Sequence, residues 1–77
     1  MSIKVKFFAR MRDEAGISTA ELDFRENLKP EDIWNELSQN KDYPESVMLA
    51  VNMEYVSGVP ELKDGDEIAF FPPVTGG

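Results

Sequence analysis

The sequence predicts a single α+β domain in which one main helix packs on one face of a β-sheet. Three observations carry this. Two runs with the alternation of half-buried strands come first, a single helical segment follows, and three short strand-like runs close the sequence. With 77 residues the chain has material for one modest core. A domain of this size buries roughly 60–65% of the surface of its unfolded chain, which leaves little room for a deep catalytic cleft. A stand-alone enzyme is therefore disfavoured.

The first strand is expected over Ile3 to Phe8, where Ile3, Val5 and Phe7 alternate with Lys4 and Lys6. Arg10 to Gly16 is polar and ends in glycine, the pattern of a loop or a short helical turn. Thr19 to Phe24 alternates again, with Ala20, Leu22 and Phe24 facing inward, so the two runs read as a hairpin. Pro30 suits the first position of a helix, where its missing N–H would have no partner anyway. Glu31 and Asp32 place negative charge at the positive end of the helix dipole. Ile33, Trp34 and Leu37 share one face, and the helix is predicted over Pro30 to Gln39, with Pro44 barring much extension. Trp34 reads as packing rather than as a site. Met48 to Val51 is a short buried strand, and Asn52 to Val56 a tight turn into another. Asp64-Gly65-Asp66 is a turn signal before the last strand, Glu67 to Phe71, which Pro72-Pro73 ends because proline cannot donate to a ladder.

Composition narrows the chemistry. The chain contains no Cys and no His, so disulfides, thiolate nucleophiles, imidazole bases and the usual zinc sites are excluded. Neither a signal peptide nor an apolar run long enough for a membrane span is visible, and a cytoplasmic domain is expected. The net charge of -7 makes nucleic acid and anionic membrane poor partners and a basic protein surface a good one. The clustered acids Asp13-Glu14 and Asp64-Asp66-Glu67 read as solvated turns, and no metal site is expected.

The chemistry is expected at the end of the sequence. Residues 1–71 form the domain, and residues 72–77, Pro72-Pro73-Val74-Thr75-Gly76-Gly77, form an extended tail. Two prolines stiffen its root toward polyproline geometry. Gly76 and Gly77 lack a Cβ and fit where a side chain would clash. A stiff spacer with a slim end suits insertion into a narrow pocket of another protein. The reactive group is then the carboxylate of Gly77, a poor acyl donor until it is activated. The sequence has no glycine-rich phosphate loop, so a partner must use ATP, with its metal, to activate it.

Leu49-Ala50-Val51-Asn52, Asp64-Gly65-Asp66-Glu67 and above all Phe70-Phe71-Pro72-Pro73-Val74-Thr75-Gly76-Gly77 resemble the molybdopterin synthase small subunits, as does the opening Lys4-Val5-Lys6-Phe7-Phe8-Ala9. The resemblance is weakest from Ile17 to Glu45. It implies a ubiquitin-like β-grasp fold, a mixed sheet whose first and last strands lie parallel at its centre. It also implies a sulfur carrier in molybdenum cofactor biosynthesis. A ubiquitin-activating-enzyme-like adenylyltransferase would adenylate Gly77. Conversion to a thiocarboxylate follows, and the tail then donates sulfur to a pyranopterin precursor inside the large synthase subunit, in a heterotetramer. No cofactor is expected on this chain itself.

With the first and last strands adjacent, alternation puts Phe8 and Phe71 on the face away from the core, near the root of the tail. Exposed aromatics in one patch suggest a protein contact, and Tyr55 is a third candidate. The partner-binding set is thus Phe8, Tyr55, Phe71, Pro72, Pro73, Val74 and Thr75. The alternatives are a thiamine-type sulfur carrier, a ubiquitin-like protein modifier and a non-covalent binding module.

Overall fold

The computed structural model describes residues 1–39, 42–43 and 46–73. Its elements are β1 (Ser2–Phe7), α1 (Arg10–Ala15), β2 (Thr19–Asp23), α2 (Pro30–Leu37), β3 (Met48–Val51), β4 (Glu54–Val56) and β5 (Glu67–Phe71). The strands form one mixed sheet in the order β2-β1-β5-β3-β4. β1 and β5 are parallel at its centre, and every other pairing is antiparallel. This is the β-grasp arrangement.

The alternation in β1 sets the two faces. Ile3, Val5 and Phe7 are buried on one side, where they meet Ile68 and Phe70 of β5 and Ile33 and Trp34 of α2. Trp34 is the hub. Its ring lies 5.7 Å from Phe7 and 6.1 Å from Phe70, and its indole N–H donates to the Asp42 carbonyl at 3.0 Å. A buried indole donor without such a partner would forfeit a hydrogen bond.

α2 starts at Pro30 as the sequence implies, and Asp32 accepts from the Lys29 amide at 3.2 Å. It ends earlier than expected, at Leu37 rather than Gln39. The Ser38 amide still donates to the Trp34 carbonyl at 2.8 Å, but Gln39 has turned to a positive φ of 62°. The expected stop at Pro44 lies outside the described residues. The polar segment after β1 is a six-residue helix, anchored by buried Met11 and closed by Gly16 in the left-handed conformation. The turn at Gly65 is also observed, with φ 90° and its amide donating to the Ser2 carbonyl at 2.9 Å.

Two turns use residues that lack glycine's freedom. Ala9 joins β1 to α1 with φ 51° and ψ -128°, the second position of a mirrored turn that favours glycine. Hydrogen bonds hold it from both sides: the Met11 amide donates to the Phe8 carbonyl at 3.0 Å and the Arg12 amide to the Ala9 carbonyl at 3.0 Å. Such a conformation costs about 1–3 kcal/mol for an L-residue. Alanine recovers only about 0.4–1 kcal/mol of that by restricting the unfolded chain. The two-residue β3–β4 turn has Asn52 at φ 52° and Met53 at φ 71°. Both central residues of a type I′ turn need positive φ, and Asn-Gly is the favoured pair. The Asn52 side chain ties this turn to β5: it donates to Asp66 at 3.0 Å and accepts from the Glu67 amide at 3.1 Å.

Trp34→Ala should cost about 3–5 kcal/mol by urea unfolding, since it empties the centre of the core. Tyr43 packs edge-on against Trp34 at 6.5 Å, and burial, with Glu31 nearby, pushes its phenol above the ordinary 10.0. The folded state thus holds this proton more tightly than the unfolded chain. The associated stability is intact below pH 10.0 and is lost as pH rises through the folded-state value. Unfolding curves in that alkaline range should fall off less steeply for Tyr43→Phe than for wild type.

Candidate docking face and tail exit

The outer sheet face is polar at one end and apolar at the other. Parallel pairing sets Lys4 opposite Glu67 and Lys6 opposite Ala69. The Lys6 ammonium meets the Glu67 carboxylate at 3.3 Å, and Ser2 donates to Glu21 at 2.7 Å. Further along the same strands the side chains become aromatic or small. Phe8 continues the ladder past β1, its amide donating to the Phe70 carbonyl at 3.0 Å. Its ring stacks on Phe71, with centroids 4.6 Å apart and planes 1° from parallel. Tyr55 of β4 completes the row at 5.7 Å from Phe71.

The expected aromatics are thus brought together. Phe8 is 41% and Tyr55 65% exposed, while Phe71, between them, is partly buried. Ala50 and Ala69 are cross-strand neighbours, and Ala50 also pairs with Tyr55. These small side chains let Tyr55 and Phe71 approach across the intervening strand. Met48 pairs with Phe71 and extends the patch. The reading of Met48 to Val51 as a short buried strand holds for Leu49 and Ala50 but hid partly exposed Met48, which period-two alternation on β3, anchored on Leu49, would have placed on the outer face. Met53, 88% exposed, lies on the β3–β4 turn at the opposite end of β5 and is not part of this row.

β5 delivers the tail to this patch. Phe71 is its last residue, and Pro72 and Pro73 follow as partly buried, non-strand residues. Val74, Thr75, Gly76 and Gly77, the rest of the predicted site, lie outside the described residues. Because β1 and β5 are parallel, the tail leaves from the same end of the sheet as Phe8. An open groove of about 730 Å³ lies at the other end, lined in part by Phe24, Leu28, Val59, Pro60 and Leu62. It adjoins the start of β1, where Phe24 donates to the Met1 carbonyl, so it is remote from the tail exit. Among the described residues no three acids gather at metal-binding spacing, and no helix is long and apolar enough to cross a membrane. Asp66 directs its carboxylate to Asn52 and to the Lys63 amide.

A mixed sheet wrapped on one helix, with its central strand running out into a Pro-Pro-Val-Thr-Gly-Gly sequence, defines a ubiquitin-like β-grasp protein of the carrier type. The chain belongs to the ThiS family, whose model matches residues 5–77. The molybdopterin synthase sulfur carrier subunit of Escherichia coli is 41% identical, across 97% of this chain and 99% of its own length. Among solved structures, the putative molybdopterin converting factor, subunit 1, of Pyrococcus furiosus superposes with a TM-score of 0.71 at 35% identity, covering 96% of this chain and 99% of its own. SAMP1 of Haloferax volcanii gives 0.69 at 26% identity, with full coverage of both chains. A chain from the complex of subunits 1 and 2 of the Helicobacter pylori molybdopterin-converting factor shares the fold, with a TM-score of 0.64 at 23% identity and full coverage of both.

The exposed stack should contribute little to folding. Phe71→Ala should lower unfolding free energy by about 1–2 kcal/mol, well short of Trp34→Ala, when both are measured by urea titration.

Proposed function

We propose that this chain is a sulfur carrier for a molybdopterin synthase, loaded on the Gly77 carboxylate and docked through the Phe8–Phe71–Tyr55 row. The observation that carries the reading is the tail exit: the central strand ends on the aromatic row, and the sequence continues from there as Pro72-Pro73-Val74-Thr75-Gly76-Gly77. Relatives that match over their full length and bear the name sulfur carrier subunit support it.

The Gly77 carboxylate oxygen attacks the α-phosphorus of ATP in an activating partner, and pyrophosphate leaves. A sulfur nucleophile supplied by that partner's system then displaces AMP and leaves a thiocarboxylate. Inside the large synthase subunit, this sulfur bonds to a side-chain carbon of the pyranopterin precursor as an oxygen substituent leaves that carbon. Water cleaves the remaining acyl–sulfur bond and restores the carboxylate. Two such transfers supply the dithiolene. ATP and its metal belong to the activating partner, an adenylyltransferase related to ubiquitin-activating enzymes. Pro72 and Pro73 stiffen the root of the tail, Val74 and Thr75 are proposed as partner-binding residues, and Gly76, without a Cβ, leaves room beside the reacting carbon. The Helicobacter pylori fold partner was solved as a complex of subunits 1 and 2, which supports a large-subunit partner here; a heterotetramer and a cytoplasmic location are further parts of the proposal.

The likeness to SAMP1 of Haloferax volcanii and to the small archaeal modifier protein 1 of Methanosarcina acetivorans, each 26% identical, favours a second reading in which the activated Gly77 is joined to a target lysine. One experiment separates the two. After incubation with activating enzyme, ATP and a sulfur source, the intact mass should rise by the difference between sulfur and oxygen. An unchanged mass, together with a ladder of covalent conjugates, would select the modifier. Deleting Gly77 should abolish sulfur transfer and leave the melting temperature unchanged, because terminal residues as a rule add little to a core; a large drop in melting temperature would contradict this.

A further inference from the structure

An activated Gly77 is an electrophile, and the chain that bears it also bears amines. A neutral lysine amine can attack the Gly77 carbonyl carbon: a C–N bond forms, the bond to AMP or to sulfur breaks, and the amine proton passes to water. The product is a loop closed by an isopeptide bond, and the carrier is lost. Only about one lysine in a thousand is neutral near neutral pH, but a short tether supplies an effective concentration in the millimolar range. An arginine guanidinium keeps its proton and does not react in this way. β5 ends at Phe71, and two prolines at the root favour continued extension. The four residues beyond them span about 14 Å at most, so the amines that matter are those at the exit end of the sheet.

Among the described residues the cations are sorted by place. α1 begins two residues after Phe8, and the Met11 amide donates to the Phe8 carbonyl at 3.0 Å, which seats the first turn of α1 at the exit end. Its cations are Arg10 and Arg12, both exposed. The described lysines lie behind the exit. Lys29 and Lys63 line the groove at the other end of the sheet, and Lys4 pairs with Glu67 at the start of β5. Lys6, opposite Ala69, stands nearer to Phe71, but its ammonium is drawn back to the Glu67 carboxylate at 3.3 Å. We infer that the amines of this chain are placed to spare its own activated end: arginine fills the cation positions beside the tail exit because a lysine there would capture Gly77. This rests on the reading that Gly77 is activated, and adds to it a safeguard against self-acylation.

The test uses the full chain made as a C-terminal thioester by thiol cleavage of an intein fusion. No activating partner is involved, so failure here leaves the carrier reading standing. In mildly alkaline buffer, wild type should hydrolyse to the free acid without forming the loop, a species lighter than the acid by one water. Arg10→Lys and Arg12→Lys keep the charge at exposed positions and should melt as wild type does. At least one of them should form the loop about tenfold or more faster than wild type, at a rate independent of protein concentration. Peptide mapping should then join Gly77 to position 10 or 12. Arg25→Lys, beside Phe24 at the other end of the sheet, should form no loop. In denaturing urea, wild type should form it as well, because the fold no longer holds the lysines away from the end. A loop on any native lysine of the folded wild type, none in either α1 variant, an equal loop in Arg25→Lys, or none from wild type in urea would each overturn the inference.

Discussion

The parallel pairing of β1 with β5 is the constraint from which the rest of the structure follows. It places two strands with strongly buried inner faces side by side, so that Val5 meets Ile68 and Phe7 meets Phe70 in register. Their inner faces supply the floor on which Trp34 sits, and burial of that floor is the main source of stability in so small a domain. Parallel neighbours need a long crossover, and here the crossover contains every other element of the fold. The same pairing makes both strands end together, which brings Phe8 to Phe71 and sets the tail exit beside both.

The two sheet faces divide the work. The inner face is closed by α2 and satisfies its polar groups locally, as the Trp34 indole does with the Asp42 carbonyl. The outer face has no helix over it among the described residues. Its charged end is neutralised internally by Lys6 with Glu67, while its aromatic end stays exposed. Stacking of Phe8 on Phe71 lets two large apolar side chains share part of their surface, which lowers the cost of exposing them to water. A face of this kind can remain soluble alone and still offer rigid aromatic anchors to a partner. The turn at Ala9, directly after Phe8, departs from ordinary sequence preference.

Legibility in the sequence varied with the range of the interaction. Both strands of the first hairpin and the start of α2 follow from local pattern: alternation at Ile3, Val5 and Phe7, and proline with two acids at the helix start. The end of α2 was placed two residues late because Ser38 and Gln39 carry no strong stop signal. The helix between β1 and β2 was legible only as a polar segment ending in glycine, since one anchoring residue, Met11, is too little for a periodic signal. Phe8 and Phe71 could be assigned to the outer face by counting. Their mutual stacking could not, because it depends on which strands are neighbours.

By itself, then, the sequence determined the kind of chemistry open to this protein. Without Cys or His, and with Pro-Pro-Val-Thr-Gly-Gly after its last strand, it has one conspicuous place for a reactive group. Composition and local spacing are enough for that, because they depend on which atoms are present and on a few adjacent residues. The tertiary structure decided where the last strand ends, which rings stand beside that end, and that Ala9 occupies a glycine-type turn directly after Phe8. These depend on pairing between residues more than sixty positions apart and on backbone angles set by hydrogen bonds on either side. No short window of sequence contains that information.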